Sequence, residues 1–388
     1  MPRISEVLER ESRTVDLEQG DFERLLGRRE RKHRNRRIRA GTVGIIVALA
    51  MGIVFLRALT SDPIPAERPE PRPAPAALGS LVYSLNGDIY VADPDGTNAV
   101  RITDVDALDD ECPGDVAYGG PSWSPDGRYI ASLFGECVDS PRVVITDPQG
   151  NVVANFPVAE RFRAWSTDST RIAVWDEWGR DEDGGPFTIG IYGIDGTRET
   201  QIALPPGWEP GDLGQLAWTP DGASLIVDQF EVPLDGGTPR ELPFPFVRPV
   251  VYSPDGSQVA YATRRALMVA RPDGSEPREV FGDAPYTETW SPTGELIAVT
   301  ANAPGGNSPW PPRALHVVDV ATGSATLLFE GERRTILWVI GFSPDGDRIL
   351  FVSFERADSV GSLWSIGVDG SDARRVVAGT SDGEWRSR

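Results

Sequence analysis

The sequence predicts an all-β protein, a seven-bladed β-propeller behind a single N-terminal transmembrane helix. Three observations carry that expectation. An aromatic residue followed by Ser/Thr-Pro-Asp-Gly, or a near variant, stands at Trp123, Trp165, Trp218, Tyr252, Trp290 and Phe342, spaced by 42, 53, 34, 38 and 52 residues. Their mean, about 44, is the length of one propeller blade. A second turn ending in glycine recurs seven times, at Gly96, Gly150, Gly196, Gly236, Gly274, Gly323 and Gly370. Finally, seventeen uncharged residues run from Ala40 to Leu56.

In chain order, residues 1–39 carry 12 Lys and Arg against 8 Asp and Glu, and eight of the basic residues fall in Arg28–Arg39. Apolar positions at helical spacing (Ile4, Val7, Leu8, then Leu17, Phe22, Leu25, Leu26) make this a basic, amphipathic segment too small for its own core. Residues 40–59 at 1.5 Å rise span about 30 Å, a hydrocarbon thickness. The preceding basic run places the N-terminus in the cytoplasm and the rest outside. A cleaved signal peptide is the rival, but its n-region would be 39 residues long and no small-x-small cleavage site follows. Residues 60–77 form a linker with six prolines, an extended spacer.

Residues 78–388 hold 23 basic and 47 acidic groups. So negative a region repels phosphate backbones, which excludes nucleic acid as its partner. Each repeat reads as four strands, A to D. The aromatic-Ser-Pro-Asp-Gly turn joins A to B and the glycine turn joins C to D. Strand B follows as Arg128–Leu133, Arg171–Trp175, Ser224–Val227, Gln258–Ala262, Leu296–Thr300 and Arg348–Val352. A β-sandwich gives no reason for one turn to recur at this period. Leu81–Thr103 is too short for four strands and reads as B (Leu81–Ser84), C (Asp88–Ala92) and D (Val100–Thr103) around an Asn86-Gly87 hairpin. The missing strand A is expected from the tail, with Trp385 in the aromatic slot, which zips a seventh blade shut. A six-bladed ring with residues 81–103 outside it is the alternative.

With Trp123–Gly127 and Asp147–Gly150, or Tyr252–Gly256 and Pro272–Gly274, residues 80–380 resemble the TolB-like, PD40-type (WD40-like) propellers. The resemblance implies the fold. No repeated Gly-His or Trp-Asp signature is present, and a membrane anchor stands where TolB has an additional α/β domain.

The chemistry-bearing residues are few. With His33, His316, Cys112 and Cys137 as the whole complement of His and Cys, zinc sites and most histidine-dependent catalysis fall away. No catalytic, cofactor-binding or metal residue is assigned. Gly379–Gly383 matches G-x-S-x-G around Ser381, but a nucleophile elbow needs a following helix and a later His. His316 reads as a packed strand residue. The acidic stretches Asp104–Asp115 and Asp176–Gly185 are the candidates for calcium, yet lack EF-hand spacing and read as solvated surface. Cys112 and Cys137, outside the membrane, are expected to form a disulfide. The long B–C and D–A connections share one face, and among them Trp178, Trp208 and Trp310, with Asp181 and Asp183, are expected to contact a partner. The function expected is a binding, sensing or scaffold module for a protein, peptide or cell-envelope ligand, not an enzyme. A transmembrane anti-sigma-like regulator acting through residues 1–39 is one alternative. A hydrolase using channel carboxylates is the other.

Overall fold

The computed structural model describes residues 80–104, 118–135, 141–158, 163–177, 187–204, 216–246, 250–302, 312–332, 335–355 and 361–386. These residues form 28 strands in seven four-stranded antiparallel sheets, a seven-bladed propeller. Six blades are continuous in sequence, with A innermost and D outermost. Blade 2, for example, runs Tyr118–Trp123, Ile130–Phe134, Arg142–Thr146 and Val152–Pro157. Blade 1 is composite. Gly383–Trp385 supplies its strand A and pairs antiparallel with Leu81–Leu85, Trp385 opposite Leu81 and Gly383 opposite Tyr83. Trp385 is 5% exposed, as expected for the aromatic slot. The six-bladed alternative is excluded.

The repeated turns form because their side chains satisfy the local backbone. In blade 2, the Ser124 hydroxyl donates to Asp126 and accepts the Tyr129 N–H, while Gly127 N–H donates to the Ser124 carbonyl. Ser166, Ser253 and Ser343 repeat the pattern with Asp168, Asp255 and Asp345. These hydrogen bonds pull the Asp168 and Asp255 carboxyls down to about 2. The same turn shortens one expected strand. Asp126 holds the Arg128 N–H, so strand B begins at Ile130 and not at Arg128. Blade 3 places Ser169 where its neighbours have glycine, and Ser169 takes φ +62°. Its hydroxyl accepts the Asp126 N–H of the adjacent turn.

Other differences also concern strand length. Strand D of blade 1 is only Val100–Arg101, two residues short of the expected end. Strand B of blade 3 runs on to Glu177. Asp176 is therefore a strand residue and not part of an acidic loop. It accepts the Tyr192 hydroxyl and pairs with Arg198 at 2.7 Å. Asp104 likewise pairs with Arg101.

The core lies between the blades. Each gap is filled by strand residues of two adjacent sheets, as where Trp175, Ile189 and Ile191 of blade 3 meet Trp218, Leu225 and Val227 of blade 4. Both sequence motifs reappear here as contacts between blades. The indole N–H of Trp218 donates to the Ala164 carbonyl and that of Trp290 to the Val251 carbonyl, in each case one residue before the aromatic of the preceding blade. At the rim, glycine turns pack on the outer strand of the preceding blade. A Cβ at Gly96 would lie 2.6 Å from the Val376 carbonyl oxygen, and one at Gly150 would lie 2.4 Å from that of Ile102.

Candidate central channel

Strand A of each blade is innermost, so its free edge points into the central channel. A free strand edge carries N–H groups that need acceptors. In the closing strand the acceptors are carboxylates. Asp382 accepts the Gly120 N–H at 2.7 Å and Glu384 accepts the Trp123 N–H at 2.8 Å, both from blade 2. Asp382 also accepts the backbone N–H and hydroxyl of Ser84 in its own blade. Blade 6 does the same job with a hydroxyl, Thr287 accepting the Val339 N–H at 3.1 Å.

Arg163, on strand A of blade 3, completes the charged group. Its guanidinium donates to the Ala131 carbonyl in blade 2, beside the register shift at Gly119–Ser122 that contains Pro121. Burial pulls Arg163 down to about 10, opposed by Glu384 and Asp382, so it stays charged at neutral pH. Burial pushes the Glu384 carboxyl up from 4.5 to about 7, against the pull of the Trp123 N–H and Arg163. Some Glu384 surface remains open because one side faces a cavity.

That cavity, about 330 Å³, lies at the tight-turn end of the channel among blades 5, 6, 7 and 1. Pro254, Pro292 and Pro344 of the turns, the rings of Trp290, Phe342 and Trp385, and Glu384 lie on its wall. The residue before each aromatic holds the equivalent register position on the seven inner strands: Glu384, Ser122, Ala164, Ala217, Val251, Thr289 and Gly341. Six of the seven are small or uncharged. A Cβ at Gly341 would touch nothing within 4 Å, which is how blade 7 leaves the space open.

One consequence is measurable. The folded-state value of Glu384 lies above its unfolded one, so its stability contribution is complete below pH 4.5 and is lost as pH rises through about 7. The turn aspartates act oppositely, losing stability as pH falls toward 2. Through these groups the parent is more stable at mildly acidic pH than at neutral or strongly acidic pH. Glu384→Gln should abolish the decline above pH 5 and gain of the order of 3 kcal/mol at pH 8. Urea denaturation at both pH values tests this, and an unchanged parent slope in the variant refutes it.

The residues expected to form a partner face, Trp178, Trp208, Trp310, Asp181 and Asp183, lie outside the described residues. So do Cys112 and Cys137 of the expected disulfide, and residues 40–59. No helix among the described residues is long and apolar enough to cross a membrane. No group of three or more His, Cys, Asp or Glu suited to a metal ion occurs among them. His316 is buried, its ring 5.2 Å from that of Phe281, a packed strand residue as expected. Ser381 is exposed, and the strand Gly383–Trp385 follows it where an elbow requires a helix. Sequence reading missed Arg163, Asp382 and Glu384. Alternation along the expected closing strand was the available signal, since it puts Asp382 and Glu384 opposite the face that carries Trp385.

No family model matches the sequence, and no curated protein matches it. Solved structures do. The chain is similar to dihydro-heme d1 dehydrogenase NirN in complex with DHE, at 16% identity and a TM-score of 0.53, over 84% of this chain and 80% of that one. It is similar to one of two prolyl endopeptidases at 12% identity and a TM-score of 0.54, over 79% of this chain and 50% of that one. The putative TolB from Agrobacterium tumefaciens also matches, at 16% identity and a TM-score of 0.41, over 79% of this chain and 92% of that one. At such identities the likeness is one of fold. It is the fold of a β-propeller.

Proposed function

We propose that the protein is a single-pass membrane protein, N-terminus inside, that holds its propeller outside the cytoplasmic membrane as a binding, sensing or scaffold module and not as an enzyme. The observation that carries the reading is where the chain joins the ring. Ser80 and Arg386 meet on the tight-turn face, the Arg386 N–H donating to the Ser80 carbonyl. A tether ending at Ser80 therefore attaches to the tight-turn face. The B–C and D–A connections leave the strands on the opposite face, and that is the face assigned here to a protein, peptide or envelope ligand. The channel carboxylates support the non-catalytic reading, because Asp382 and Glu384 hold backbone N–H groups of the neighbouring blade. That is an architectural task.

Protease added to intact cells should digest the propeller and spare an N-terminal tag; protection of the propeller would overturn the topology. The full chain in detergent, used as bait against envelope fractions, should retain a partner, and lose it when Trp178, Trp208 and Trp310 are all replaced by Ala. Retention by the triple variant equal to that of the parent refutes this face.

A further inference from the structure

The channel cavity has a composition that its architectural role does not require. Two of the three acceptors described above, Asp382 and Thr287, serve backbone N–H groups at the level of the long-loop end of the inner strands. Glu384 sits one level lower, in the ring otherwise made of Ser122, Ala164, Ala217, Val251, Thr289 and Gly341. It is the single titratable side chain of that ring. Its carboxylate makes one hydrogen bond among the described residues, through Oε2 to the Trp123 N–H, and Oε1 makes none. The adjoining space is not a packing accident of large side chains. Gly341 borders it, and a Cβ there would meet nothing within 4 Å.

We propose that this cavity binds a small organic cation, a primary alkylammonium in its simplest form, with the charge on Glu384 and the apolar body against Trp290, Phe342 and the turn prolines. The size is right for one small molecule, since ligand pockets begin at roughly 300 Å³. The wall chemistry fits an amphipathic cation: indole and phenyl rings attract ammonium groups through their faces, and the proline surfaces take a short alkyl chain. The charge fits as well. Arg163, whose charge favours the ionised Glu384, is already committed to the Ala131 carbonyl and shared with Asp382. A second cation offsets the desolvation that holds the Glu384 carboxyl near 7. Binding therefore draws on the ionised carboxylate and strengthens as that form becomes populated. An anion meets the same carboxylate as a repulsion, and a neutral molecule of equal shape gains only the apolar contacts. This inference does not depend on a partner binding the long-loop face.

The test uses the full chain in detergent, with n-butylammonium, n-butanol and butyrate as probes in isothermal titration calorimetry. Butylammonium should bind, butanol and butyrate should not, and affinity should rise about tenfold or more between pH 5.5 and pH 8, while the probe itself stays protonated. Glu384→Gln should abolish binding. Gly341→Leu, which fills the cavity with Glu384 intact, should abolish it too, and its thermal melt reports whether the ring is still closed. Because Gly341 has an ordinary negative φ and open space beside it, that variant should fold. Equal affinity for butanol, retained binding in either folded variant, or no binding of butylammonium at millimolar concentration would each overturn the proposal.

Discussion

A chain ending at Thr380 should lose its cooperative melt, or melt at least about 10 °C below the parent, although only eight of 388 residues are removed. The reason is the position of those residues in the ring. Without Gly383–Trp385, Leu81–Leu85 becomes an uncovered inner edge and blade 1 has no strand facing the channel. Trp385 leaves a gap against Leu350, Val352 and Leu363 of blade 7 and Leu81 of blade 1. Burial of that ring alone is worth about 3–5 kcal/mol, the usual cost of replacing a core tryptophan by alanine. The truncation also removes the indole bond to the Pro94 carbonyl and strips the acceptors from Gly120 and Trp123. Trp385→Ala separates the two contributions, since it keeps the strand and both carboxylates. Its loss should be about 3–5 kcal/mol in urea denaturation, smaller than that of the truncation. Equal melting of parent and truncated chain would show that the ring does not need its closing strand.

Gly150→Ala should cost about 3 kcal/mol or more, and Gly236→Ala only about 1 kcal/mol, although both glycines close the same kind of turn. Both have nearly identical left-handed backbones, φ +82° and +84°. That strain is common to the pair and is worth about 1 kcal/mol for an alanine. They differ in what lies beside them. The added methyl at Gly150 meets the Ile102 backbone, and a carbonyl cannot swing aside as a side chain can. At Gly236 nothing lies within 4 Å. The difference between the two denaturation midpoints isolates the contact between blades 1 and 2 from the local conformation. If the two variants lose equal stability, the close packing of the glycine turn on the neighbouring blade contributes nothing.

The repeat, and through it the strand order, can be read directly from the turn residues. Its turn residues act locally: Ser124 and Asp126 bond to backbone within five residues of themselves, so their pattern shows in any window that contains them. The blade count followed from the same reasoning, because a first repeat with no strand A and a tail bearing Trp385 complement each other. Strand ends were less legible. Whether Asp176 continues a strand depends on Tyr192 and Arg198, sixteen and twenty-two residues away.

What the motifs do between blades emerges only once the blades pack. Nothing local to Gly150 says that Ile102 will press on it, and nothing local to Trp218 names Ala164 as its acceptor. The charged group of the channel is the extreme case. Arg163 lies more than two hundred residues from Asp382 and Glu384, and each of the three is unremarkable among 38 basic and 58 acidic side chains. They become a site because ring closure brings strand A of blade 1 against strand A of blade 2, where free-edge N–H groups need acceptors and solvent is largely excluded. Burial then pushes the Glu384 carboxyl up, and burial is a property of the closed ring.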